Sequence, residues 1–151
     1  MKIWTIIIVM FSVNISNGQN IEKIRRLYLQ SSNNDAKLDS LNYWLSNYNQ
    51  TNNLMSAYYG VNLILKSKYL KNPFKKIKYF EKGRKILEDA IIKEPDNIEL
   101  IFLRYTVQKN TPSILMYKKD IEEDYQSIKS ELDSIKDQRL KKYISQTLQK
   151  L

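Results

Sequence analysis

From Ile21 to Leu151 the apolar residues return at intervals of three and four, and no stretch alternates apolar and polar residues long enough to make a strand. That rhythm is the period of an amphipathic helix, so the chain is predicted to be all-α. Three Gly and three Pro are too few to serve an all-β domain, which turns about every 8–12 residues. The expected architecture is six or seven helices packed as antiparallel hairpins.

Polar breaks set the helix boundaries. Asn20 opens a first helix with Ile21, Ile24, Leu27 and Tyr28 on one face, and the run from Ser31 to Asn34 closes it. Asp35 caps a second, carrying Leu38, Leu41, Trp44, Leu45 and Tyr48. After a polar turn from Asn47 to Asn53, Thr51 or Asn52 starts a third with Leu54, Tyr58, Val61, Leu65 and Tyr69. Asn72-Pro73 stops it and starts the fourth, because Asn is a good N-cap and the missing N–H of Pro costs nothing in a first turn. This helix is predicted to reach Lys93 with Ile77, Phe80, Leu87 and Ile91 inward. Gly83 in its interior costs about 1 kcal/mol relative to Ala, which implies a close approach by a neighbouring backbone. The fifth helix, Ile98 to Lys109, is apolar on nearly every side and is therefore predicted to lie at the centre. Thr111-Pro112 opens a sixth with Ile114, Tyr117, Ile121, Tyr125 and Ile128, and Leu140, Tyr143, Ile144, Leu148 and Leu151 mark a seventh. The segment from Asp133 to Asp137 either separates these two or lies within one fused helix.

The beginning of the chain has a different character. Lys2, an apolar run from Ile3 to Val13 and Ser16-Asn17-Gly18 before Gln19 have the pattern of a cleaved secretory signal. The run spans roughly 16 Å at about 1.5 Å per residue, half of a ~30 Å hydrocarbon core. The expected organisation is a signal peptide over 1–18 and one helical domain over 19–151, exported, periplasmic or secreted, and soluble after cleavage. An uncleaved interfacial anchor or a first core helix are the alternatives for the apolar run. The Lys-, Ile-, Asn- and Tyr-rich composition resembles that of small exported proteins of Bacteroidota.

Composition also limits the chemistry. The chain has no Cys and no His, which excludes disulfides, Cys/His zinc sites and His-dependent triads. With few glycines for a phosphate loop and no paired carboxylates, no enzymatic activity, cofactor or metal is expected. The acidic run Asp120, Glu122, Glu123 and Asp124 lacks the order of a calcium loop and reads as a surface run neutralised by Lys118, Lys119 and Lys129. Arg104, set among apolar residues, needs a carboxylate, with Glu99 or an acid of a neighbouring helix as candidates.

Charge is concentrated in one place. From Lys66 to Lys85 there are nine basic residues and one acidic, a net +8, while the rest of the chain after Gly18 is balanced. Lys75, Lys76, Lys78, Lys82 and Lys85 are the candidate anion-binding residues, interleaved with Tyr69, Phe74, Tyr79 and Phe80. An anionic membrane surface is one partner such a segment suits, and a merely solvated lysine face is the alternative. Nucleic acid is not expected in an exported protein's compartment.

The series Gly83-x3-Leu87-x2-Ala90-x4-Pro95, followed by Asn97, Ile98, Glu99, Ile101 and Phe102, resembles the second helix and terminal proline of a tetratricopeptide (TPR) repeat and the opening of the next. The similarity spans about Gly83 to Tyr105. The Trp-Leu-Gly positions of the preceding helix are instead Ser67, Leu70 and Lys71. The resemblance implies a scaffold that binds a protein or peptide partner in a groove lined by first helices. Here that groove would be formed by Tyr58, Tyr59, Asn62, Arg104 and Thr106 of the third and fifth helices. The alternative is that Tyr58 and Tyr59 are core and rim aromatics.

Overall fold

A computed structural model describes residues 20–31, 34–46 and 52–151. The proposed signal segment, Tyr48 and most of the polar turn after the second helix lie outside these residues. Among the described residues there are seven α-helices and no strand: α1 over 20–31, α2 (Asp35–Ser46), α3 (Asn53–Ser67), α4 (Pro73–Lys93), α5 (Ile98–Asn110), α6 (Ile121–Glu131) and α7 (Gln138–Leu148).

Short polar side chains start most of them. The side-chain oxygens of Asn52, Asn72, Asn97 and Asp137 accept from the amides of Met55, Lys75, Glu99 and Arg139 at 2.9–3.1 Å, satisfying donors that a helix start leaves unpaired. At α2 the cap is Asn34 rather than Asp35, since the Lys37 amide donates to the Asn34 side chain at 3.1 Å. Asp35 sits inside the first turn, where its charge favours the helix N-terminus.

The most extensive helix pair is α3 with α4. Two glycines make it possible. A Cβ on Gly60 would lie 2.7 Å from the Gly83 carbonyl oxygen, and one on Gly83 would fall onto the Gly60 carbonyl and 2.8 Å from Ile64 Cγ1. At the far end of this hairpin, Glu94 receives hydrogen bonds from Asn53 (2.7 Å) and Asn97 (2.8 Å), which hold its carboxyl below its ordinary pKa. Ile77, predicted to face inward, is more than half exposed, while Phe80, Leu87 and Ile91 are buried.

Helix α5 is the hub. It packs against α3, α4, α6 and α7 and buries Leu100, Phe102, Leu103, Tyr105 and Val107. The core built around it includes Ile24, Leu38, Leu41, Tyr58, Val61, Leu87, Ile128 and Ile144.

The expected start of the sixth helix changes, and the open question of whether the sixth and seventh are fused is resolved. No helix runs from Thr111-Pro112. Thr111 is extended (φ −85°, ψ 132°), as a residue before proline prefers, and a 3-10 turn over Ser113–Leu115 follows. Met116 then takes a left-handed conformation (φ 49°), so the helical rhythm of Ile114 and Tyr117 is broken before α6 begins at Ile121. Ile114 is consequently exposed, whereas Tyr117 is turned into the core. Helices α6 and α7 are separate, joined by a 3-10 turn over Leu132–Ser134 and an extended Ile135.

Candidate functional site

The five residues expected to line a groove are mostly inside the bundle. Tyr58 is fully buried, its hydroxyl donating to Glu99 Oε1 at 2.7 Å and lying 3.2 Å from the Tyr143 hydroxyl. Asn62 is buried and donates to Asn42 Oδ1 of α2 at 3.3 Å. Thr106 is buried, with its hydroxyl 2.6 Å from the Tyr28 hydroxyl. Tyr59 is a half-buried rim aromatic, and Arg104 is engaged with carboxylates. These five positions therefore do not form an exposed concave face.

Tyr58 and Arg104 belong to two polar clusters, both centred on α5. In one, Arg25 of α1 grips Glu99 through Nε–Oε1 (2.8 Å) and Nη2–Oε2 (2.6 Å), with Glu22 at 2.6 Å and Asp137 at 3.7 Å. Burial opposes charge on Arg25, but the hydrogen bonds and charge of Glu99 outweigh it and raise the guanidinium pKa. Burial pushes Tyr58 and Tyr143 well above the ordinary tyrosine value, and pushes Tyr28 up to about 12.

The second cluster decides between the two candidates for the partner of Arg104 in favour of an acid on a neighbouring helix. Glu99 belongs to Arg25, and Arg104 instead pairs with Asp124 of α6 through Nε–Oδ2 (2.8 Å) and Nη2–Oδ1 (2.6 Å). Glu88 stands 3.2 Å and Asp120 3.8 Å from its Nη1, and Tyr117 donates to Glu88. Two members of the acidic run are thus directed inward to one guanidinium. Burial lifts the Asp124 carboxyl above its ordinary value against the pull of Arg104, and burial and Glu88 together raise Tyr117. Fork-on-fork pairs of this kind fix geometry, and their oxygens are occupied by internal donors.

A different surface is exposed where α3 ends, α4 begins and the turn after α5 passes. Ile64, Phe80, Ile77, Pro112, Ile114 and Leu115 line an apolar groove of about 440 Å³, with Lys68 and Lys76 on its walls. Apolar side chains are held in water along it: Ile114 of the lining is 88% exposed, and Phe74 and Met116, next in the chain to the lining residues Pro73 and Leu115, are 84% and 87% exposed. Every residue from Lys71 to Lys78 is exposed, so the start of α4 projects from the bundle. The expected anion-binding residues Lys75, Lys76, Lys78, Lys82 and Lys85 are all exposed. Lys85 pairs with Asp89 at 2.9 Å, and Lys66 with Asp39 at 2.9 Å. A second cavity of about 380 Å³, lined by Tyr28, Thr106, Thr147 and Lys150, shares Ile64, Lys68, Asn110 and Thr111 with the first.

The lysines of this surface were visible as a charge run with Phe74 among them, but the rest of its apolar half was missed, because helical spacing assigned Ile77 and Ile114 to the core. The left-handed Met116, two residues beyond Ile114, has no signal in the sequence, since nothing in its residue type announces that conformation. Comparison with family models, with curated proteins and with solved structures finds no match to the chain.

Proposed function

We propose that this protein is a non-enzymatic helical binding module, and that it makes contact through the lysine-rimmed apolar groove at the start of α4. The observation that carries this reading is the coincidence of large exposed apolar side chains, Phe74, Ile114 and Met116, with the net +8 segment that borders them. Isolated exposed apolar residues need no explanation, whereas a cluster rimmed by charge is the usual mark of an interaction surface. The inward carboxylates have internal partners, which leaves recognition as the task the exposed chemistry suits. Export through the first eighteen residues is part of this proposal. So is a TPR-like hairpin stack, supported by Gly83, Leu87 and Ala90 all being buried on α4. The binding surface proposed here lies at one end of the bundle rather than on a concave row of first helices.

A photo-crosslinking side chain at position 77 or 114, compared with one at the exposed Ile92 of the same protein, tests the location. In the native compartment, crosslinking to a partner molecule is expected at positions 77 and 114 and is lost on Lys75→Glu/Lys76→Glu. Equal crosslinking at position 92, or none at 77 and 114, would place contact elsewhere.

A further inference from the structure

We infer that the occupant of this surface is an anionic phospholipid bilayer, on which Phe74, Ile77, Ile114 and Met116 enter the interfacial region while the neighbouring lysines meet headgroup phosphates. The inference rests on the preceding assignment of the contact surface.

Shape is the first argument. The residues that distinguish the patch are projecting tips on the start of α4 and on the turn before Tyr117, not the floor of a trough, because Phe74, Ile114 and Met116 are each more than four-fifths exposed. A peptide helix gains from a long concave seat, whereas a bilayer interface accepts protruding apolar side chains flanked by cations. Met116 adds to this: it holds a left-handed backbone (φ 49°), a conformation usual for Gly or Asn, while keeping a large apolar side chain in water. Both features cost free energy in the isolated protein, and insertion of the side chain would recover one of them.

Charge is the second. Lys68, Lys71, Lys75, Lys76, Lys78 and Lys82 pair with no carboxylate among the described residues, in contrast to Lys66 and Lys85. Eight of the nine basic residues in the segment are Lys. A flexible ammonium on a long alkyl stem suits a fluid layer of phosphates, where the fixed fork of Arg has no particular advantage and where an alkyl stem is able to lie along apolar surface. The same charges oppose a second copy as occupant, since docking two identical patches would bring +8 against +8.

The chain contains no Cys, so single Phe74→Cys, Ile114→Cys and Ile92→Cys variants of the full chain each carry one polarity-sensitive dye. These are mixed with vesicles of pure phosphatidylcholine or with added phosphatidylglycerol, at about 0.1 M and about 1 M salt, where the screening length falls from about 10 to about 3 Å. The expected result is a blue shift at positions 74 and 114 with phosphatidylglycerol at low salt, abolished at high salt, with no shift at 92. Each lysine near such a surface changes partitioning about fivefold, so Lys75→Glu/Lys76→Glu lowers it by about 25-fold or more. Because the dyes report locally, attachment through the apolar Ile3 to Val13 run would leave positions 74 and 114 unshifted and would overturn the inference. An equal shift at position 92, or binding independent of phosphatidylglycerol, would overturn it as well. A glutamate-rich amphipathic peptide that shifts both dyes when vesicles do not would sink the lipid inference while sparing the contact surface; silence with both probes would sink both.

Discussion

Glu99 is 2% exposed and carries a formal charge, so the interior depends on its being fully paired. Two parallel hydrogen bonds from Arg25 and one from the Tyr58 hydroxyl satisfy it. Glu99→Leu would leave the Arg25 guanidinium short of its partner and is expected to cost about 3–5 kcal/mol, toward the lower end because Glu22 and Asp137 remain near. The double variant Arg25→Met/Glu99→Leu should recover much of that loss, and urea unfolding of the single and double variants measures it. Buried tyrosines set the alkaline limit. Tyr28 is pushed up to about 12 by burial, from an ordinary value of 10. Below pH 10 it is neutral in both folded and unfolded chains, so its contribution is fully present. Above pH 10 the unfolded chain ionises first, and each such tyrosine removes about 1.4 kcal/mol of stability per pH unit until the folded pKa is reached. Part of the tyrosinate absorbance is therefore expected to appear only together with loss of helical circular dichroism. Complete titration of all eleven tyrosines before that loss would contradict it. At this scale the sequence was partly legible. It required a partner for Arg104, but it offered no means of choosing Asp124 over Glu99, because that choice depends on which helix flanks α5.

Gly60 and Gly83 let α3 and α4 approach until a single Cβ would collide with backbone. Gly83→Ala gains about 1 kcal/mol of helix propensity, yet it must push the Gly60 carbonyl aside, and overpacking of this kind costs typically 1–3 kcal/mol. The net expectation is a destabilised protein, read as a lower thermal midpoint; a midpoint at or above that of the parent would show that the pair has room to spare. The need for a close approach at Gly83 was readable from a glycine in a helix interior. The identity of its neighbour was not, since Gly60 sits in an equally regular helix and spacing alone cannot say which two helices cross there. Helix starts marked by Asn52, Asn72 and Asn97 were legible because capping is a local interaction. The sixth helix was misread for the opposite reason: Ile114, Tyr117 and Ile121 keep helical spacing although the backbone between them turns left-handed.

Across the whole molecule, stability should be graded from the hub outward. Buried amides of α5 from Leu100 to Val107 are expected to exchange hydrogen slowest, and those from Phe74 to Lys78, on the projecting start of α4, among the fastest. Hydrogen-exchange mass spectrometry checks this order, and uniform protection along α4 would contradict it. The all-α class and the central place of the fifth helix were legible because both follow from periodicity and from how many faces must be covered. The proposed contact surface was only half legible, since a patch is defined by what the fold leaves uncovered. The two arginine clamps carry one more consequence. Glu99 and Arg104 are five residues apart on α5, so they point about 140° from one another, one toward α1 and the other toward α6. Exchange the two outer rods and arginine would confront arginine while aspartate confronted glutamate. Opposite polarity on the hub thus selects one wiring of the chain over its swapped counterpart, a choice that greasy side chains alone would leave open.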